Sequence, residues 1–221
     1  MSGLNALLHH RDPRPGKDRL LLVMLPGAGI AAEEFAAQGL VAAAQAGGRI
    51  VDVIAAEPDQ GLYLEGAVAP VLEQSVIAPA RAAGYRRLWL LGISLGGMGA
   101  LSCAAACPEE IEGLILLAPF IGTHGTIAEL TRDGGFMDWR PETSAATPPE
   151  RRILSWLQER LGGASGPQIW LGHATNDRFA AGHRLLAAAL PETQTVLVEG
   201  GHDWAAWRAI FQALMARVPL G

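Results

Sequence analysis

The sequence predicts an α/β fold, with a mainly parallel central sheet of about six strands, helices on both faces and a helical insertion after the fourth strand. Two observations predict this fold class. Short apolar runs of strand length alternate along the chain with stretches of helical length, most of them rich in alanine. The runs are almost continuously apolar, which is typical of strands that are buried on both faces of a parallel sheet. A single long segment without a strand interrupts this alternation and predicts the insertion.

Six apolar runs are the predicted strands. In chain order they are RLLLVML, RIVDVIAAEPD, RRLWLLG, GLILLAPF, PQIWLGHA and QTVLVEG. The helices predicted in the regular part of the alternation cover about residues 31–46, 65–83, 96–106 and 204–217. Gly47 and Gly48 should end the first of these helices. Pro70 and Pro79 should break or kink the second, and the third should end before Pro108.

The interruption covers residues 120–167 and contains two further predicted helices, at about residues 126–132 and 149–161. A turn-rich stretch, RPETSAATPPER, lies between them. An insertion at the carboxyl edge of a parallel sheet lies where ligands bind in such folds, so we interpret this segment as a lid. A purely structural helical excursion is the alternative. Neither a repeat nor a shift in composition divides the chain, so residues 1–221 are expected to form one domain.

The composition is typical of a compact globular protein. Half of the 221 residues are hydrophobic and 18% are charged. The 17 basic and 22 acidic residues give a net charge of −5 without a basic cluster, which gives no support to nucleic-acid binding. No apolar run reaches the length of a membrane span and no secretory signal is visible, so we expect a cytoplasmic protein. The two cysteines, Cys103 and Cys107, are expected to be small buried residues.

The strongest chemical signal is the motif GISLG at residues 92–96, a G-x-S-x-G pattern that follows a predicted strand and precedes a predicted helix. A sharp strand-to-helix turn holds such a serine in a strained conformation. Side chains at the two glycine positions would collide with neighbouring backbone. The turn exposes the hydroxyl at the carboxyl edge of the sheet, beside the amino end of a helix whose dipole favours negative charge. Ser94 is therefore the predicted nucleophile, and an incidental serine in a tight turn is the alternative.

A serine hydroxyl needs a base, and the base needs a third group that orients it. His202 lies in the turn EGGHDW after the last predicted strand, at the edge where Ser94 emerges, and is the predicted base. Asp177 follows the fifth strand and is the predicted acid, because Ser, Asp, His is the chain order expected for this fold. Asp203 should instead point into solvent or cap the final helix. A turn histidine at 202 and a helix cap at 177 are the alternatives.

Acyl transfer also needs hydrogen-bond donors that face the developing oxyanion. The backbone N–H of Leu95, directly after the nucleophile, is one predicted donor. The N–H of Ala28 is the other, because the glycines of LPGAG at residues 25–29 let the backbone of that turn bend close to the serine. An ordinary strand-to-helix turn would explain the same glycines.

From residue 20 to residue 217 the chain resembles the α/β-hydrolase superfamily in a small single-domain form. The resemblance lies in LPGAG, GISLGG, the NDRF turn and GGHDW. It implies Ser94 as nucleophile, Asp177 as acid and His202 as base. Relatives often have histidine-glycine in the oxyanion loop, whereas this chain has Pro26 and Gly27, which keeps the backbone donors but removes a side chain that often braces the loop. The short N-terminal segment also suggests that the first two antiparallel strands common in the family are missing.

These residues predict a serine hydrolase that cleaves a carboxylic ester or thioester of a small-to-medium acyl group through an acyl-enzyme. An acyltransferase with the same three residues is one alternative, and a non-catalytic binding protein on the same fold is another. The expected partner is a small-molecule acyl substrate. The sequence has no metal-binding or nucleotide-binding motif, so neither a metal nor a cofactor is expected. Residues that could line an acyl pocket, or simply pack, are Tyr63, His124, Phe136, Trp139 and Trp156.

Overall fold

A seven-stranded sheet forms the centre of the protein. The structure is a computed structural model that describes residues 3–12, 19–46, 50–141 and 148–220. The strands are β1 (Leu4–His10), β2 (Leu20–Leu25), β3 (Val51–Pro58), β4 (Arg87–Ile93), β5 (Gly113–Leu117), β6 (Gln168–Ala174) and β7 (Thr195–Val198). Their order across the sheet is β1-β3-β2-β4-β5-β6-β7. All neighbours pair in parallel except β1, which runs antiparallel to β3.

Helices cover both faces of this sheet. The α-helices of the described residues are α1 (Glu34–Ala37), α2 (Leu40–Gln45), α3 (Gln60–Glu65), α4 (Val68–Leu72), α5 (Ala78–Ala82), α6 (Leu95–Ala106), α7 (His124–Arg132), α8 (Pro149–Leu161), α9 (Ala180–Ala189) and α10 (Trp204–Met215). The first two helices and the last pack on one face, and α3 to α9 pack on the other. The predicted fold class is confirmed.

The central strands supply side chains to two separate hydrophobic cores, one on each face. Every residue of β2 is buried. Leu20, Leu22 and Met24 belong to the core under α10, and Leu21, Val23 and Leu25 to the core under α6. Successive side chains of a strand point to opposite faces, so a strand that is covered twice must be apolar throughout. The continuous apolar runs of the sequence therefore mark the interior strands.

The N-terminal strand β1 corrects one expectation. The resemblance suggested that both antiparallel strands at the start of the family fold are missing, but the structure has one at Leu4–His10. In the described sheet this strand is at one edge and pairs only with β3, and five of its seven residues are partly buried while Asn5 and His9 are exposed. An edge strand of this kind needs no continuous apolar run, so the sequence LNALLHH gave no clear strand signal.

Two predicted helices are broken in the structure. The helix predicted at residues 31–46 is divided into α1 and α2 at Gly39, whose φ of 81° lies in the left-handed region. The helix predicted at 65–83 consists of α4, a π-helical turn at Glu73–Ile77 and α5. Pro70 and Pro79 lie in the first turns of α4 and α5, where the missing N–H is tolerated. The predicted stop at residues 47–48 lies outside the described residues.

The insertion contains both predicted helices, α7 and α8, and its residues 142–147 lie outside the described part. Helix α8 is packed into the main core, where Leu154 and Leu157 are fully buried together with Trp139. Glu129 of α7 forms an ion pair with Arg151 of α8, so the two helices are tied to each other. Residues of α7 line the cavity described below, and α8 contributes none of its described lining. Within the described residues, no helix combines the length and apolar character needed to cross a membrane.

Candidate active site

The turn between β4 and α6 holds Ser94 in a rare backbone conformation, with φ 52° and ψ −116°. Such conformations cost about 1–3 kcal/mol each and persist only where the surroundings impose them. A Cβ atom at Gly92 would lie 2.3 Å from the carbonyl oxygen of Gly96. A Cβ atom at Gly96 would lie 2.0 Å from the carbonyl oxygen of Leu25. Both glycines are required because the backbone approaches too closely for any side chain, as the motif predicts.

Backbone hydrogen bonds from the end of β5 fix the strained serine. The N–H of Ser94 donates to the carbonyl of Leu117 at 3.1 Å, and the N–H of Phe120 donates to the carbonyl of Ser94 at 2.8 Å. Between these two partners lies Ala118, which also has a positive φ, 46°. The turn after β5 thus holds the Ser94 turn in place through these two hydrogen bonds.

His183 on α9 contacts the turn after β5 and stabilises it. It is fully buried, and its Nε2–H donates to the carbonyl oxygen of Pro119 at 2.9 Å. Its Nδ1 atom has no hydrogen-bond partner in the described structure. Burial lowers the pKa of His183 to about 4, so the ring is neutral near pH 7. No pattern in the sequence predicts this contact, because it depends on how α9 packs against the turn after β5.

The structure brings the three sequence-predicted residues together in one hydrogen-bonded chain. The Nε2 atom of His202 lies 2.8 Å from Oγ of Ser94, and its Nδ1 atom lies 2.7 Å from Oδ2 of Asp177. With Asp177 ionised, Nδ1 carries the proton and donates to the carboxylate, which leaves the Nε2 lone pair to accept from the serine hydroxyl. The side chain of His202 is 8% exposed and that of Asp177 is fully buried.

Asp177 is held as a carboxylate despite its burial. Burial alone would raise its pKa, but hydrogen bonds from His202 and from the backbone N–H of Phe179, at 2.8 Å, outweigh it and lower the pKa below its ordinary value. The N–H of Asn176 donates to the carbonyl of Gly200 at 2.9 Å, which joins the turn of the acid to the turn of His202. The acid and the imidazole are therefore fixed relative to each other by backbone contacts as well.

Asp203, next to the histidine in sequence, has a different place. It is the N-cap of α10, and its side chain accepts a hydrogen bond from the N–H of Ala206 at 3.0 Å. The residue is exposed. The expected role as a helix cap agrees with this geometry, and the carboxylate hydrogen-bonded to the imidazole is that of Asp177.

Two aromatic rings hold the imidazole of His202 between them. The ring centroids of Phe179 and Trp207 each lie 5.1 Å from that of His202, at interplanar angles of 86° and 90°. Edge-to-face contacts of this kind are favourable and restrict the rotation of the ring. Trp207 is buried, and Phe179 is a residue of this site that the sequence did not reveal. Nothing in its local sequence, NDRF, predicts this contact, because His202 belongs to another turn.

The turn after β2 lies directly against the serine. A Cβ atom at Gly27 would lie 3.2 Å from Cβ of Ser94. The predicted donor Ala28 follows in this turn and is exposed. The other predicted donor, Leu95, is the first residue of α6, where backbone N–H groups have no acceptor within the helix. Both N–H groups therefore belong to turns that meet at Ser94.

Comparisons with known proteins support this architecture. The sequence matches no protein-family model and no curated protein. Solved structures match it along almost its whole length. The S-formylglutathione hydrolase FrmB from Staphylococcus aureus has a TM-score of 0.67 at 14% identity, covering 96% of this chain and 97% of that chain. The chain has the α/β-hydrolase fold.

Two other structures with this fold are similar to the chain. FphF, a fluorophosphonate-binding serine hydrolase from Staphylococcus aureus, has a TM-score of 0.65 at 13% identity and covers 96% of this chain and 97% of its own. The carboxylesterase CesB from Bacillus subtilis has a TM-score of 0.54 at 13% identity, with coverages of 93% and 86%. By name these three proteins are an S-formylglutathione hydrolase, a serine hydrolase and a carboxylesterase, and their structures identify the α/β-hydrolase fold of this chain.

Two cavities of this α/β-hydrolase fold involve residues that contact the candidate catalytic residues. The larger, about 590 Å³, lies between α7 and the start of α9 and is called the α7–α9 cavity below. Its lining includes Ile121, Ile127, Ala128, Arg132, Arg178 and Phe179. The smaller, about 240 Å³, lies at the turn after β2, where Gly27, Tyr63 and Leu95 contribute to its lining. Volumes of 300–1,000 Å³ are usual for small-molecule pockets, and the α7–α9 cavity falls within that range.

Only some of the candidate pocket residues line these cavities. His124 lines the α7–α9 cavity, and Tyr63 lines the smaller one. Phe136 and Trp139 are buried in the main core and Trp156 packs against it, so the packing alternative is right for these three. They are apolar residues of the insertion whose burial depends on the docking of α8, which the sequence does not reveal.

Metal ligands are not grouped in the described part of this α/β-hydrolase fold. No set of three or more His, Cys, Asp or Glu side chains there is placed to hold a metal ion. Both cysteines are free. Cys103 is fully buried, and Cys107 is partly buried with its thiol donating to the carbonyl of Cys103 at 3.2 Å.

Proposed function

We propose that the protein is a serine hydrolase that cleaves a carboxylic ester or thioester of a small-to-medium acyl group. Ser94 is the nucleophile, His202 the general base and Asp177 the orienting acid. The observation that carries this proposal is the hydrogen-bonded chain from Oγ of Ser94 through both nitrogens of His202 to Asp177, at a strained strand-to-helix turn. The serine hydrolases and esterases among the structural neighbours support it.

In the first half of the reaction, Oγ of Ser94 attacks the carbonyl carbon while Nε2 of His202 takes the hydroxyl proton. Asp177 stabilises the imidazolium that forms. The backbone N–H groups of Ala28 and Leu95 donate to the oxyanion of the tetrahedral intermediate, and such donors are often the largest single contribution to rate.

Collapse of that intermediate breaks the bond to the alcohol or thiol, which leaves with the proton from Nε2 of His202. The product is an acyl ester on Ser94. A water molecule then attacks this ester with its proton passing to the same nitrogen, and the acid is released. Oγ of Ser94 recovers its proton in the last step.

Within the insertion at residues 120–167, we assign the lid role to α7. This helix forms one wall of the α7–α9 cavity, whereas α8 is part of the core. In this proposal α7 limits the size of the acyl or alcohol group that reaches Ser94.

Covalent labelling together with a panel of p-nitrophenyl esters of increasing chain length tests the proposal. A fluorophosphonate probe should label the wild-type protein at Ser94, and Ser94→Ala should lose both labelling and ester hydrolysis while keeping its melting temperature. Ser102→Ala is the matched control, because within the described structure its hydroxyl donates to the carbonyl of Met98 in α6 and to no other group. Labelling at another residue, or full activity in Ser94→Ala, would refute the assignment.

A further inference from the structure

We propose that the α7–α9 cavity selects substrates with a negatively charged end, through Arg178 and Arg132 at its rim. The inference rests on the proposed ester hydrolysis at Ser94 and adds the class of substrate. In this class, an ester or thioester carries an apolar chain that ends in a carboxylate.

The cavity adjoins the proposed catalytic residues. Phe179 lines it, and the same ring contacts the imidazole of His202 at a centroid distance of 5.1 Å. The ring of Phe120 lies 5.4 Å from that of Phe179, and the N–H of Phe120 donates to the carbonyl of Ser94. The ring that contacts the imidazole is therefore also part of the cavity wall. In this proposal, a substrate chain bound at Ser94 extends past Phe179 into the cavity.

The interior of the cavity suits an apolar chain. Ile121, Ile127 and Gly182 are buried and lie between α7 and α9. A Cβ atom at Gly182 would lie 3.1 Å from Cδ1 of Ile127, so the glycine lets the two helices approach closely. Small-molecule sites have this character, with apolar walls and a few polar groups that fix the orientation of the ligand.

Two of the polar residues that line the cavity are arginines, Arg132 and Arg178. The guanidinium carbon of Arg178 lies 4.9 Å above the centroid of the Phe179 ring. No carboxylate of the described residues forms an ion pair with Arg178. Among the described residues, the carboxylate that pairs with Arg132 is that of the adjacent Asp133, at 3.5 Å, and the side chain of Arg132 is 74% exposed. Both arginines line the cavity.

Other carboxylates near this rim are already engaged. Glu129 accepts hydrogen bonds from Arg151 and from Nε1 of Trp139. Asp177 is buried and accepts from His202 and Phe179. In a protein of net charge −5, two arginines on one cavity create a local positive field that attracts an anion. Guanidinium groups match carboxylates in geometry as well as in charge.

Matched ester pairs test the inference. In the first pair, the acyl chain of a p-nitrophenyl ester ends in a carboxylate (mono-p-nitrophenyl adipate) or in the corresponding primary amide. In the second pair, the same two end groups are carried by the alcohol chain of an acetate ester. We expect kcat/KM for the charged member of one pair to exceed that of its neutral partner by about fivefold at low salt, and the difference to shrink as salt screens the charges. The pair that responds identifies which half of the substrate enters the cavity.

Arginine variants then locate the effect. Arg178→Gln should bring the charged-to-neutral ratio close to unity, and Arg132→Gln should reduce it. Arg184→Gln is the matched control, because Arg184 is exposed on the same helix as the cavity wall but does not line the cavity. It should keep the wild-type ratio.

The outcomes separate this inference from the proposed function. If the wild-type protein cleaves p-nitrophenyl acetate but prefers neither charged ester, the inference is wrong and the hydrolase assignment stands. If it cleaves none of the esters, the hydrolase assignment fails. Calorimetric titration with hexanoate and hexanamide then tests whether the cavity still binds an anion. Binding of hexanoate that is lost in Arg178→Gln would support the anion site, and equal binding of the two probes would refute it.

Discussion

Mild acid should destabilise this protein because His183 is buried in its neutral form. Its pKa is about 4 in the folded state, whereas a histidine in an unfolded chain titrates near pH 6.5. Above pH 6.5 neither state binds the proton, so the residue has no effect on stability there. As the pH falls, the unfolded state takes up the proton first, and the free energy of unfolding decreases until about pH 4, below which both states are protonated.

The size of the effect follows from the two pKa values. Their difference corresponds to roughly 3 kcal/mol when the whole interval is crossed. Between pH 7.5 and pH 5.0 the expected loss is about 2 kcal/mol. Domains are usually stable by only about 5–15 kcal/mol, so this loss is readily measured.

Urea unfolding of the wild-type protein and of His183→Gln at the two pH values tests the prediction. Glutamine keeps an amide donor near the carbonyl of Pro119 but cannot titrate. We therefore expect the variant to lose about 2 kcal/mol less than the wild-type protein between pH 7.5 and pH 5.0. Burial also lowers the pKa of His173. Replacing His173 by glutamine should therefore also reduce the stability lost between pH 7.5 and pH 5.0. Parallel pH profiles for wild type and His183→Gln would refute the argument.

Three further predictions concern the site and its frame. Asp177→Asn should lower kcat by on the order of 10⁴-fold, whereas Asp203→Asn should change rate and stability little, because the amide oxygen of asparagine can still cap α10; the reverse pattern in side-by-side kinetics would reassign the acid. Gly96→Ala should destabilise the protein by at least about 1–3 kcal/mol in thermal unfolding, because its Cβ would lie 2.0 Å from a carbonyl oxygen. Gly125→Ala is the control: a Cβ atom there would meet no atom within 4 Å, so this change should be neutral or stabilising. Ala128→Leu should narrow the α7–α9 cavity and shift ester preference toward shorter chains, and an unchanged chain-length profile would contradict the lid role of α7.

The parts of the fold that the sequence predicted are those governed by local rules. Strands β2, β4 and β5 are buried on both faces, so their apolar runs had a single interpretation. The turn at Ser94 was also predictable from the sequence. Backbone atoms lie too close to Gly92 and Gly96 for any side chain, so both positions must be glycine. The chain order of Ser94, Asp177 and His202 was a further local guide, since each follows a strand that ends at one edge of the sheet.

The parts that the sequence did not predict depend on distant partners. Strand β1 is an edge strand, and its sequence mixes apolar and polar residues, so it contains no continuous apolar run. The contact of His183 with Pro119 joins residues 64 positions apart. Phe179 flanks the imidazole of a residue from another turn, and nothing in the string NDRF distinguishes such a ring from ordinary packing. Recognising these roles requires the positions of α9 and α10 relative to the sheet.

One short segment connects all of these features. Within residues 177–183, Asp177 accepts from the imidazole, Phe179 flanks it and lines the cavity, and His183 supports the turn that fixes Ser94. These contacts are made by the turn before α9 and by its first helical turn, so they move together if the helix moves. A change in how α9 packs therefore alters the serine, the imidazole and the cavity at once. It follows that substitutions in this segment should combine non-additively with one another, as residues of one packed network do.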